Sequence, residues 1–434
     1  MIVIPRARST DPQRRGAWRS LVCATVLLAC LIPAGAQDIV QQITSLVPDQ
    51  PHTYEQMVAS LQALRSTGRV SLMSLGKTSG GRDIVCAAVH HPQVRFGQGK
   101  RLFIIARQHG NEVSGTEAAL ALLQHFATSQ GALECDILRY LTIIAVPMAN
   151  PDGAATGRRR NGNGMDLNRD WAARTQAETQ AIERGVRAWR PDAVLDLHEL
   201  PASSGKPEYA ESFVETIGSG SGISAGVSGH TLPAAADLSA WMGRYHQRGN
   251  IYYDSASKDR RLCHRHFGLE LGIPSFLIEA KTGAGRSMDW RVSLHVLGAL
   301  VVANYLVHTG TPQAVDIARE IGATEGEPEL EDVPAQASGP AQVRLLFIRA
   351  GEGGVAGAQI EAAVAGGEGV RCVRFYIDGA LRSLSNFGPY RCVIPPTGLE
   401  EGEHGIRAEV VGLGGAVLAQ AEGTFFVEPP GTAR

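Results

Sequence analysis

Apolar runs at 70–75, 84–89, 102–106, 141–147, 193–197 and 275–278 punctuate the first two thirds of the chain. They are short and apolar at consecutive positions, the pattern of strands buried on both faces of a sheet. Between them, 113–128, 178–189 and 292–307 carry apolar residues at helical spacing. Thr175 and Glu178 have the separation of a capping box at the start of the second of these stretches. Alternating strands and helices predict an α/β domain over 37–311, with a mixed, mostly parallel sheet flanked by helices.

The period changes beyond that domain. Runs at 343–348, 373–377, 406–411 and 423–427 alternate apolar with polar or small residues, and Gly and Pro turns separate them. This is the signature of a small all-β sandwich over 341–428, with 429–434 as a tail. Val373-Arg374-Phe375-Tyr376-Ile377-Asp378-Gly379, Pro389-Tyr390 and Gly402-Glu403-His404 resemble bacterial immunoglobulin-like modules. That resemblance implies a spacer or binding module whose partner is unknown. Between the two units, 312–340 is rich in Pro, Ala and Gly and carries Glu325, Glu327, Glu329, Glu331 and Asp332, which reads as an acidic linker.

The N-terminal 36 residues read as a signal peptide. Arg6, Arg8, Arg14, Arg15 and Arg19 precede an apolar run at 21–32, and Ala34-Gly35-Ala36 offers a small-x-small cleavage site. The run is too short for a stable membrane span, so the expectation is an exported chain, periplasmic or secreted. Leu27-Leu28-Ala29-Cys30 resembles a lipoprotein box only in part, because Leu28 is bulky and the apolar run continues.

With 434 residues the chain has room for two folded units, and 44% hydrophobic with 19% charged residues is a globular balance. A formal net charge of -2 provides no field for nucleic acid or acidic membranes. Cys23 and Cys30 belong to the leader, leaving Cys86, Cys135, Cys263, Cys372 and Cys392. An oxidising compartment permits disulfides, and Cys372 with Cys392, in one segment, is the candidate pair.

Four segments carry candidate chemistry. In Gln108-His109-Gly110-Asn111-Glu112 an apolar strand runs into a turn with His and Glu three residues apart, which lets both reach one point if the turn continues into a helix. Imidazole and carboxylate are ligands for Zn²⁺. Ala193-Val194-Leu195-Asp196-Leu197-His198 is a second apolar strand that ends in His. Sites in open α/β sheets gather beyond the carboxyl ends of strands, so His109 and His198 can meet there. Two His and one Glu leave a fourth position open, as catalytic zinc needs. The third segment runs from Asn150-Pro151-Asp152-Gly153 through Arg158-Arg159-Arg160 to Asp166-Leu167-Asn168-Arg169, a Gly-rich loop whose guanidinium groups suit carboxylates. The fourth, Phe276-Leu277-Ile278-Glu279-Ala280-Lys281, ends an apolar strand in a carboxylate that is either ion-paired or used as a base. Gly222-Ile223-Ser224-Ala225-Gly226 has the form of a serine nucleophile elbow, without the apolar strand such an elbow follows.

Taken in order, these segments and the upstream Gly76-Lys77-Thr78-Ser79-Gly80-Gly81-Arg82 resemble the zinc carboxypeptidase family. The resemblance implies one Zn²⁺ per chain on His109, Glu112 and His198, with Glu279 as general base. It implies that Arg159 holds the oxyanion, with Arg158 or Arg160 in its place if the register slips. Asn168 and Arg169 would clamp the free C-terminal carboxylate of a peptide substrate, and Tyr252 or Tyr253 would supply a mobile tyrosine. The His-Gly-Asn-Glu and Asp-Leu-His forms also resemble aspartoacylases and succinylglutamate desuccinylases, so the alternative is deacylation of N-acyl amino acids or cell-wall amide cleavage at the same zinc site. Arg260, Arg261 and His264 point to an acidic substrate side chain or to a solvated basic loop.

Overall fold

The structure is a computed structural model, and it describes residues 39–94, 99–203, 212–217, 249–254, 259–283, 285–308, 340–348, 358–366, 370–385, 390–394, 402–412 and 416–427. The leader at 1–36, the Gly/Ser run with Ser224, all but the last residue of the linker, and the tail lie outside the described residues.

Two helices, α1 (Ile39–Thr44) and α2 (Tyr54–Leu64), precede the hairpin β1 (Val70–Lys77) and β2 (Asp83–Val89). Then follow β3 (Lys100–Ala106), α3 (Ser114–Thr128), α4 (Ala132–Tyr140), β4 (Leu141–Val146), the short α5 (Pro151–Ala155) and α6 (Ala177–Trp189). β5 (Ala193–Leu200), β6 (Ser212–Ile217), β7 (Gly249–Asp254), α7 (Cys263–Glu270), β8 (Ser275–Lys281) and α8 (Met288–His308) complete this part. Each of the predicted strands and helices forms. The sheet runs β1-β2-β4-β3-β5-β8-β6-β7. Its centre, β4-β3-β5-β8, is parallel, and antiparallel pairs join β1 to β2, β2 to β4 and β6 to β8. β6 and β7 escape the apolar-run criterion because Phe213, Val214, Glu215, Thr216 and Ile217 mix polar with apolar residues.

Alternate residues of the central strands feed two cores. Leu102, Ile104 and Ala106 of β3, with Leu195 and Leu197 of β5, pack with residues of α3 and α8. Phe103, Ile105 and Val194 pack on the other face with Trp171, Ile182 and Phe267. β4 and β5 are buried along their whole length, which is why their sequence lacks alternation. One described helical stretch, Met288–Val307, is long and apolar enough to cross a membrane, and 72% of its most apolar window is buried inside the protein.

The C-terminal strands are antiparallel, as the period of two predicts. They are β9 (Gln342–Ile348), β10 (Ala358–Ala365), β11 (Val370–Ile377), β12 (Ala380–Ser385), β13 (Tyr390–Ile394), β14 (Gly402–Gly412) and β15 (Val417–Val427). β13-β10-β9 form one sheet, and β12-β11-β14-β15 pair onward from β7. Ser383 of β12 lies opposite Tyr252 of β7, a connection that nothing in the sequence announces. The expected Cys372–Cys392 disulfide does not form. All five described cysteines are thiols, and these two are buried within the C-terminal strands. The capping box of Thr175 and Glu178 is also absent. α6 begins with Gln176 as its N-cap, and the carboxylate of Asp170 accepts the N–H groups of Thr175 and Gln176 instead. Glu178 is buried against Asn161, and burial raises its carboxyl above the usual range.

Candidate metal centre

Because β3, β5 and β8 run parallel, their carboxyl ends open on one edge of the sheet, where loops can carry ligands. Beyond β3, Arg107 takes the left-handed conformation at φ 56°. That conformation is costly for a side chain larger than Gly and needs support from its surroundings. The support is visible: Arg107 Nε donates to Gly110 O at 3.0 Å and Nη1 to His52 O at 3.3 Å. Asn150 N–H donates to Arg107 O at 3.2 Å, tying the turn to the Asn-Pro-Asp-Gly segment. His109 and Glu112 then lie in one turn ahead of α3, with Glu112 N–H donating to His109 O at 3.0 Å. The three-residue spacing therefore works through a turn, not through the helix. A Cβ on Gly110 would lie 2.1 Å from the carbonyl carbon of Gly153, so only glycine lets these backbones approach.

The side chains of His109, Glu112 and His198 are all buried, and their ligand atoms lie within 4.8 Å of one another. His109 Nδ1 is 2.7 Å from Glu112 Oε1, and His198 Nδ1 is 2.8 Å from Glu112 Oε2. The two Nδ1 atoms are 3.1 Å apart. Each ring is fixed from behind. His109 Nε2 faces Asp166 Oδ1 at 3.0 Å, and His198 Nε2 faces Asp196 Oδ1 at 2.8 Å. A carboxylate behind each imidazole accepts a hydrogen bond from its Nε2–H and leaves the Nδ1 lone pair for a cation. Burial alone would raise the carboxyl of Glu112; the imidazoles of His198 and His109 override it and hold it below the usual range. Burial alone would likewise lower His198, yet Asp196 and Glu112 drive it well above an ordinary imidazole. The cluster thus favours positive charge at its centre. Two imidazole nitrogens and a carboxylate, each oriented by a second group, fit zinc as a three-ligand site with room for a fourth.

The remaining predicted residues surround this group. Of the three consecutive arginines, Arg159 reaches it. Its Nη1 is 3.3 Å from Glu112 Oε1 and 3.2 Å from His109 Nδ1, and Nε donates to Asp166 Oδ2 at 3.1 Å. Arg160 turns away to Gly164 O. Asn168 is buried: its Oδ1 accepts the Cys263 N–H at 2.8 Å and its Nδ2 lies 3.3 Å from His198 Nε2. Its neighbour Arg169 donates through Nη1 to the Asn168 carbonyl at 2.7 Å. Glu279 stands opposite His198 in the pairing of β5 with β8. Its Oε2 is buried with no hydrogen-bond partner among the described residues, and burial pushes its carboxyl up to about 7. Tyr252 and Tyr253 lie on β7 opposite Glu215 and Thr216 of β6.

Sequence reading missed the groups that hold the ligands: Asp166, Asp196, Gln108 and Glu199. Asp196 had one visible signal, a buried carboxylate two residues before His198 on an otherwise apolar strand. Arg260, Arg261 and His264 each have a carboxylate partner within the protein. Arg260 pairs with Glu270, Arg261 with Asp259 and His264 with Glu215.

Residues 55–198 match the zinc carboxypeptidase family model. Carboxypeptidase Z of Mus musculus is 32% identical over 158 residues, covering 31% of this chain and 24% of that protein. Probable carboxypeptidase 2 of Arthroderma benhamiae is 30% identical over 102 residues, covering 24% of this chain and 19% of that protein. The chain therefore spans about a fifth to a quarter of the length of these curated relatives. Among solved structures, a metallo-carboxypeptidase from Burkholderia cenocepacia superposes with a TM-score of 0.50 at 23% identity, covering 60% of this chain and 70% of that one. That likeness concerns the fold.

Proposed function

Because residues 55–198 match the zinc carboxypeptidase family model, we propose that the chain removes C-terminal residues from peptides by zinc-dependent hydrolysis. The observation that carries this reading is the convergence of His109, Glu112 and His198, with a partnerless carboxylate oxygen of Glu279 on the adjacent strand. When bound, zinc supplies Lewis-acid polarisation of a carbonyl and acidification of water.

The chain's own residues do the rest. Glu279 accepts the proton of the attacking water and later passes it to the leaving amine; a carboxyl held near neutrality suits both steps. The Arg159 guanidinium, beside the ligand group, donates to the oxyanion that develops on the scissile carbonyl. Arg169, with Asn168, holds the terminal carboxylate, which restricts cleavage to the last peptide bond. In support, Asn168 already spans His198 and the start of α7. Tyr252 or Tyr253 closes over the substrate from β7. The C-terminal strands act as an immunoglobulin-like spacer or binding module, a reading supported by their antiparallel pairing. The basic, apolar and small-residue order of the leader supports export.

The test is a peptide library read by mass spectrometry, using free-acid and amidated versions of each sequence with and without chelator. The expected result is loss of single C-terminal residues from free acids only, abolished by chelator. Release of acyl groups, or equal cleavage of amidated peptides, would contradict it.

A further inference from the structure

Adjacent residues at the end of β5 face opposite sides of the sheet. His198 joins the ligand group, whereas Glu199 turns toward α3 and α8. Glu199 holds the turn of Glu112 from two directions. Its backbone N–H donates to Glu112 Oε2 at 3.1 Å. Its carboxylate accepts the N–H groups of Val113 and Ser114, each at 3.2 Å, at the point where Glu112 gives way to α3. These N–H groups have no partner inside the helix, and the positive end of the helix dipole favours a carboxylate there.

A buried carboxylate needs a counter-charge. The side chain of Glu199 is 4% exposed, and Arg291 of α8 pairs with its Oε1. One turn along α8, buried His295 places Nε2 3.1 Å from Ser114 Oγ. α8 thus reaches the start of α3 through two side chains, His295 directly and Arg291 by way of Glu199.

We infer that Glu199, neutralised by Arg291, is a positioning residue that fixes the carboxylate of Glu112 in its ligating orientation, so that metal affinity depends on an ion pair touching neither metal nor substrate. This rests on the reading of the cluster as a zinc centre. Removing Arg291 separates positioning from simple charge. If Glu199 acted on the metal only through its negative charge, loss of Arg291 would tighten metal binding. A positioning role makes the same loss weaken it.

The experiment measures the zinc dissociation constant of the full chain by chelator competition, alongside the melting temperature without metal. For Arg291→Met the expected loss of affinity is roughly 10–100-fold, the scale on which groups behind metal ligands act. Arg291→Lys, which keeps the charge, should recover most of it. Glu199→Gln should also weaken binding, and it provides a second variant if Arg291→Met does not fold. Val301→Ala, in the same core on α8 but outside the ion pair, is the control and should keep wild-type affinity while melting lower. Unchanged or tighter zinc binding in Arg291→Met overturns the inference, as does an equal loss in Val301→Ala. A wild-type chain that takes up no zinc would instead remove the metal reading beneath it.

Discussion

Glu279 combines burial, a partnerless oxygen and a place beside His198 on the neighbouring strand. Its replacement by Gln keeps the shape and removes the base, so turnover should fall about 10²–10⁴-fold with zinc content retained; near wild-type rates would take Glu279 out of the mechanism. Its titration also has a consequence for stability. The folded carboxyl is raised by burial from 4.5 to about 7. Between those values the folded state holds a proton that the unfolded state has released, so the metal-free protein loses stability as pH rises through this window. Glu279→Gln abolishes that loss. Melting curves in chelator should therefore show the variant gaining on the wild type as pH rises from 4.5 to about 7. A constant difference across the range would contradict the raised titration. The sequence made Glu279 visible as a carboxylate closing an apolar strand. The carboxylate behind His109 was not visible, because Asp166 lies 57 positions from it along the chain and only folding brings them together.

At the scale of elements, the ligand group depends on how closely two turns approach. The His109 turn rests on the Asn150–Gly153 segment, and Gly110 meets the backbone of Gly153 where a Cβ would sit at 2.1 Å. Asp152 in turn accepts the Gly80 N–H at 2.9 Å and pairs with Arg82 at 2.8 Å, which gives the Gly-rich turn between β1 and β2 its task. Gly110→Ala should push the His109 turn outward. The expected cost is about 1–3 kcal/mol of stability, typical of overpacking, together with weakened zinc binding. Calorimetry and zinc titration check both, and a variant with wild-type values would show that the turn yields freely. The central strands were legible because burial on both faces leaves unbroken apolar runs. β6 was not, since Glu215 lies within it, paired with His264 and Arg265 of α7. The turn at His109 was legible as a spacing but not as a conformation, because the left-handed Arg107 ahead of it leaves no mark in composition.

Across the whole molecule, the sheet that carries the ligands continues through β7 into β12 and the C-terminal strands. The change of period along the chain separates the two kinds of architecture without revealing this pairing, since a shared sheet edge is written in backbone hydrogen bonds and not in side-chain pattern. The order of the ligand segments along the chain, by contrast, could be read directly, and the fold gathers them at the carboxyl ends of β3, β5 and β8. The most direct test of the account is the metal content of the purified chain after zinc loading and dialysis, measured beside Glu112→Gln and His198→Phe. One zinc per wild-type chain, with little or none retained by either variant, is the predicted result. A wild-type chain without stoichiometric zinc, or variants that keep it, would contradict the convergence of these side chains on a metal.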